Sequence, residues 1–120
     1  MADAFFMPEL LAFTDKNYNE EVLQCDRPVL VYVTTRWCRP GRDLLPVIEQ
    51  AAEEIQDKVK MGTLDADAER EFVRAHRIRT VPTVLLFKGG KSGAWIAGRF
   101  TKLSLMSQVS AFLVEEKPSS

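Results

Sequence analysis

The densest apolar run in this chain is Pro28-Val29-Leu30-Val31-Tyr32-Val33. It is β-branched, aromatic and uncharged, the pattern of a central strand covered on both faces. Ahead of it, Leu10-Leu11-Ala12-Phe13 predicts a short strand. Thr14 or Asp15 then offers the cap of a helix whose apolar face is Tyr18, Val22 and Leu23, ending by Asp26. After Thr34-Thr35-Arg36 the period changes. Leu44, Leu45, Ile48, Ala51, Ala52 and Ile55 recur at helical spacing, so a helix is expected from near Arg39. Pro40 suits its first turn, and Pro46 should kink it. A strand over 59–65 and a helix over 68–76 follow. Pro82 opens a second apolar run, Thr83-Val84-Leu85-Leu86-Phe87; Lys88-Gly89-Gly90-Lys91 is a turn signal, and Ala94-Trp95-Ile96-Ala97 is the returning strand. Leu105 or Met106, Val109, Phe112 and Leu113 predict a closing amphipathic helix. This alternation is that of an α/β chain: a central mixed sheet with helices on both faces.

Composition narrows the class. Hydrophobic residues make up 46% of the 120 and charged residues 28%, which are globular values. The length suits a single domain over 1–120 with a core from about 10 to 115. A formal net charge of -1 gives no bulk attraction to nucleic acid or to an anionic membrane. No apolar run is long enough to span a bilayer. The segment Met1 to Pro8 lacks the basic and apolar regions of a signal peptide, so a cytoplasmic, reducing location and a monomer are expected. Lys117-Pro118-Ser119-Ser120 reads as a frayed tail. Two cysteines make no disulfide scaffold, and with one histidine they make no zinc site; no metal and no resident cofactor are expected.

Chemistry concentrates in Trp37-Cys38-Arg39-Pro40-Gly41-Arg42, at a strand-to-helix junction. A helix N-terminus and nearby cations both favour the thiolate, the nucleophilic form of cysteine, so Cys38 is the candidate nucleophile. Three residues on, where a second thiol would complete a redox pair, stands Gly41. A glycine inside a helix costs about 1 kcal/mol relative to alanine, and it could leave room for a bound group beside Cys38. Arg36, Arg39 and Arg42 are either solvated charges or an electrostatic influence on the thiol or on an anionic partner. Cys25 reads as a partly buried structural thiol. His76 reads as a surface or capping residue. Asp65, Asp67 and Glu69 read as a solvated cap, and Trp95 as packing on the terminal hairpin.

The ordered set of features resembles the thioredoxin family. Trp37-Cys38-Arg39-Pro40 resembles its Trp-Cys-Gly-Pro-Cys motif with the first cysteine kept. Val81-Pro82-Thr83 resembles its cis-proline loop, Leu85-Leu86-Phe87-Lys88 the strand after it, and Gly98 a glycine lining the same groove. From about Phe13 to Val114 the pattern overlays without an insertion. The resemblance implies a thioredoxin fold, a cis peptide before Pro82, and a substrate groove formed by Trp37, Arg39, Pro40, Val81, Pro82 and Gly98. Departures are equally marked. Gly41 stands in place of the second cysteine, Tyr32 in place of a buried aspartate, Thr63 in place of its lysine partner, and Thr34 in place of a common tryptophan. With no second thiol to deprotonate, a lone buried carboxylate would only be a cost.

The reading that follows is monothiol exchange. Cys38 forms mixed disulfides with protein or peptide thiols and disulfides in the groove, and an external thiol such as glutathione, a co-substrate and not a cofactor, resolves them. One rival is a non-catalytic binding or adaptor module using the same groove. Another is a glutathione-dependent iron–sulfur carrier, which a single cysteine per chain would make dimeric.

Overall fold

The computed structural model describes residues 10–114; the expectations for Met1 to Pro8 and for the tail from Lys117 lie outside the described residues. Five strands, β1 (Leu11–Phe13), β2 (Val29–Thr34), β3 (Lys60–Asp65), β4 (Thr83–Lys88) and β5 (Lys91–Ala97), form one sheet in the order β1-β3-β2-β4-β5. β3 runs parallel to both β1 and β2, whereas β4 is antiparallel to β2 and to β5. Four helical elements cover it: α1 (Asn19–Leu23), α2 (Arg39–Ile55), α3 (Arg70–Ala75) and α4 (Lys102–Val114).

Alternation along β2 distributes the core. Leu30 and Tyr32 point to the face packed by Leu44 and Ile48 of α2 and by Leu105 and Val109 of α4. Val29, Val31 and Val33 point to the other face, against Val22 of α1 and Phe72 of α3. Both faces are sealed, which explains why the strand reads as a continuous apolar run. At the hairpin, Gly89 and Gly90 take φ of 62° and 83°, values that glycine adopts without steric cost.

Two expectations need correction. α1 is a single π-helical turn beginning at Asn19, not a helix capped at Thr14 or Asp15. The Thr14 carbonyl instead closes a turn by accepting the Asn17 and Tyr18 N–H groups. Asp15 caps a different helix: its carboxylate accepts the backbone N–H groups of Glu71 (3.1 Å) and Phe72 (2.9 Å) in α3. Further, α3 covers only Arg70–Ala75 of the 68–76 expected. It stops because Arg77 adopts φ 54°, and Ile78 N–H returns to the Val73 carbonyl at 3.0 Å. α2 runs from Arg39 to Ile55 with Pro46 inside it.

The register sets the functional end of the sheet. Val33 lies opposite Thr83, Thr34 opposite Asp65, and Thr83 opposite Ala97. The loops following β2, β3 and β5 and the loop preceding β4 therefore gather at one end. Among the described residues no helix is long and apolar enough to cross a membrane.

Candidate active site

Cys38 is the N-cap of α2. Its backbone is extended (φ -81°, ψ 107°), and its Sγ accepts the Gly41 N–H at 3.3 Å. The sulfur thus occupies the place where a serine or aspartate oxygen usually satisfies an orphan amide of the first turn. Arg39 and Pro40 follow in that turn, where proline's missing N–H leaves no bond unmade. The thiol is half-buried, while Trp37 beside it is 81% exposed.

Beneath the first turn lies a phenol. Tyr32 is fully buried on β2 and its hydroxyl donates to the Gly41 carbonyl at 2.7 Å. Burial, and secondarily the negative charge that Cys38 can carry, push the Tyr32 pKa far above its ordinary value. It is therefore a neutral donor, and it anchors the turn that carries Cys38. Thr63 lies opposite Tyr32 in the β2–β3 register.

Gly41 is closed off. A Cβ at this position would lie 1.8 Å from Thr34 Oγ1 and 2.9 Å from Thr34 Cβ. The room expected here for a bound group is filled by the Thr34 side chain. Thr34 Oγ1 is buried and has no hydrogen-bond partner among the described residues. The open space lies to one side: a cavity of about 530 Å³ bordered by Thr34, Trp37, Gly41, Arg42, Leu45 and Asp65.

The cis-proline loop faces the same end of the sheet. The Val81–Pro82 peptide is cis, and the Gly98 N–H (φ 86°) donates to the Pro82 carbonyl at 2.8 Å. Pro82 and Gly98 are thereby joined directly, and β2–β4 pairing sets them beside the loop that carries Cys38. Among the described residues no group bonds the Val81 backbone, so its N–H and carbonyl are available to an extended chain.

The remaining candidates fall elsewhere. Cys25 is half-buried and borders Arg27, Gln56 and Lys60, toward the opposite end of the sheet from Cys38. His76 ends α3 with its ring packed on Phe72 (4.4 Å between centroids), Phe87 (5.3 Å) and Tyr18 (5.9 Å), so it is held among rings more than at the surface. Asp65 accepts the Asp67 N–H at 2.9 Å, and Glu69 accepts that of Asp15 at 2.8 Å. Trp95 is 54% exposed, so packing accounts for only part of it. Sequence reasoning missed Thr34 as the residue that closes position 41, and Tyr32 as the anchor of the turn. The only sequence signal was negative, since neither residue matched the family pattern at its position.

A half-buried thiol capped by an amide, at the same end of the sheet as a cis-proline loop with an open main chain, can attack a disulfide in a peptide laid across that end. The thioredoxin family model matches residues 9–111. The thioredoxin of Rickettsia bellii is 40% identical over 96 residues, covering 80% of this chain and 91% of the relative. That of Pseudomonas aeruginosa is 35% identical over 100 residues, 83% and 89% of the two chains. A chloroplastic M-type thioredoxin of Chlamydomonas reinhardtii is 34% identical over 102 residues, 85% and 73%. The match runs from β1 almost to the end of α4, through both the Trp-Cys loop and the cis-proline, and the chain belongs to the thioredoxin family of thiol–disulfide oxidoreductases.

Proposed function

We propose that the protein exchanges thiols and disulfides through one nucleophile, Cys38, and halts at the mixed disulfide until an external thiol resolves it. The observation that carries this reading is the closed position 41, where Thr34 occupies the volume a second thiol would need. Cys25 cannot substitute, because it lies toward the other end of the sheet. In the first step Cys38 thiolate bonds one sulfur of a protein disulfide, and the other sulfur leaves as thiolate. An external thiolate such as glutathione then attacks Cys38 Sγ and releases the partner. A second equivalent frees Cys38 and leaves oxidised glutathione. Trp37, Arg39, Pro40, Val81, Pro82 and Gly98 would hold the partner, the Val81 main chain pairing with it as a further strand does. No metal or resident cofactor enters this cycle, a reducing compartment such as the cytoplasm suits it, and a monomer suffices.

The test is insulin reduction with two electron sources. Turnover is expected with glutathione and its reductase, and a single mixed disulfide per chain with thioredoxin reductase alone, visible as a mass adduct on Cys38. Sustained reduction without glutathione would overturn the monothiol cycle. No exchange with either source would leave the groove a binding or adaptor site.

A further inference from the structure

Lys60 opens β3, and Lys88 and Lys91 face each other across the hairpin, at the end away from Cys38. The ion pairs among the described residues, Lys60–Glu21 and Lys102–Glu54, are both made by lysines. The loops and first helical turn around Cys38 and the cis-proline bear arginines: Arg36, Arg39 and Arg42 around the thiol, Arg77 and Arg79 ahead of the cis-proline, and Arg99 after Gly98. All six are exposed, and none bonds a carboxylate among the described residues. The one carboxylate within those loops and that first turn is Asp43, while Asp15, Asp65, Asp67 and Glu69 stand at the β1 and β3 edge of the same end. In a molecule with a formal net charge of -1, the loops flanking Cys38 and the cis-proline thus carry more arginine than carboxylate.

These arginines border depressions on both sides of the reactive loop. On the β3 side, Arg36 and Arg42 line the 530 Å³ cavity with Trp37. On the β5 side, Arg77 and Arg79 line a depression of about 370 Å³ with Trp95. Arg77 holds φ 54° just past the end of α3, where glycine is the unstrained residue. Arginine and tryptophan together are the residue types that anchor protein interfaces, and the guanidinium fork matches a carboxylate bidentately.

We propose that the polypeptide taken by this groove is acidic on both sides of its reacting sulfur, its carboxylates pairing with Arg36 and Arg42 beside Trp37 and with Arg77 and Arg79 beside Trp95. The proposal names the substrate class of the Cys38 exchange and rests on that reading. A nucleic-acid strand would also meet arginine and tryptophan, but it brings no sulfur to Cys38 and no main chain to Val81.

The experiment uses three peptides of equal length, each with one cysteine carried as its thionitrobenzoate disulfide and flanked by glutamates, glutamines or lysines. Attack by Cys38 bonds its Sγ to the peptide sulfur. Thionitrobenzoate leaves with the electron pair, and its absorbance gives the rate. The glutamate peptide is expected to react about tenfold faster than the glutamine peptide and the lysine peptide slowest, with the ratio approaching one near 1 M salt. Arg36→Gln, Arg79→Gln and Arg77→Gly should each lower the glutamate-to-glutamine ratio by about two- to threefold. Equal rates for all three peptides would overturn the acidic preference and leave the exchange reading standing. Release from none of them would sink the exchange reading alone. Tryptophan fluorescence titration with the reduced peptides then decides the surface: tighter binding of the glutamate peptide supports it, and equal binding overturns it. Binding of oligothymidylate at lower concentration than the glutamate peptide would also overturn it, in favour of nucleic acid.

Discussion

Gly41 is small because Thr34 occupies the volume beside it, and this contact decides what a restored cysteine pair would do. A Cβ at position 41 would lie 3.2 Å from Cys38 Sγ, close enough for a bridge, but only 1.8 Å from Thr34 Oγ1. Obstruction, not distance, stands in the way. Gly41→Cys should therefore destabilise the fold by about 1–3 kcal/mol, the cost typical of overpacking, read as a lower urea midpoint. Adding Thr34→Ala removes the obstructing hydroxyl and should recover part of that loss. Oxidation should close a bridge between positions 38 and 41 more readily in the double variant than in the single one. A single Gly41→Cys variant with wild-type stability and a fully formed bridge would contradict the packing. Tyr32 adds a second hold on the same residue, through its bond to the Gly41 carbonyl.

At the scale of elements, α3 depends on its surroundings more than on its own sequence. It has six residues, too few to be stable alone, and its own N-cap, Glu69, makes no side-chain capping bond. Asp15 supplies the cap from 57 residues away, measured to Phe72. Asp15→Ala should cost about 1 kcal/mol in denaturation and deprotect the first amides of α3 to hydrogen exchange. Arg77→Gly, at the other end, should gain about 1 kcal/mol by relieving the left-handed backbone. Stability gained while the preference for acidic peptides falls would be hard to explain as damage. His76 ties α3 to β4 and to the ring of Tyr18, and it gives a pH signature. Burial lowers its pKa below the ordinary 6.5, and its Nε2 is buried without a partner among the described residues. As pH falls below 6.5 the unfolded chain takes up the proton before the folded one. This contribution is fully present above that pH, declines as pH falls through the folded pKa, and then levels off. His76→Phe should flatten the decline, measured as the wild-type-minus-variant difference in urea midpoint from pH 7 downward. An unchanged difference across that range would show that His76 does not titrate within the packed cluster.

At the scale of the whole molecule, one sheet separates two cores, and β1 joins it only through β3. Gly62 makes that joint possible: a Cβ there would meet the Leu11 carbonyl and the Phe13 ring, each at 2.6 Å. Gly62→Ala should cost about 1–3 kcal/mol and show its largest loss of amide protection along β1 and β3. Uniform loss across the sheet would argue that the strain spreads instead of lifting one edge. The cis-proline loop lies across β2 from this joint and Cys38 follows β2 itself, so exchange kinetics should change less than stability does.

The sequence by itself determined the elements whose environment is set locally. β2 and β4 were legible as unbroken apolar runs, α2 and α4 as helical periods, and the hairpin as a pair of glycines, since residues a turn or two apart share one face. It determined the chemistry on offer as well: one thiol at a helix start, a glycine where a second could stand, and a proline loop. What tertiary structure alone decided were relations between elements. Asp15 looked like a cap for the helix that follows it, and it caps α3. Gly41 looked like vacant space, and Thr34 fills it. Tyr32 looked like a lost carboxylate, and its hydroxyl holds the Cys38 turn. Arg36, Arg42, Arg77 and Arg79, far apart in the chain, are brought to either side of the reactive loop by the strand order. Steric exclusion and charge sum over whatever the sheet register brings side by side, and no window along the chain contains that register.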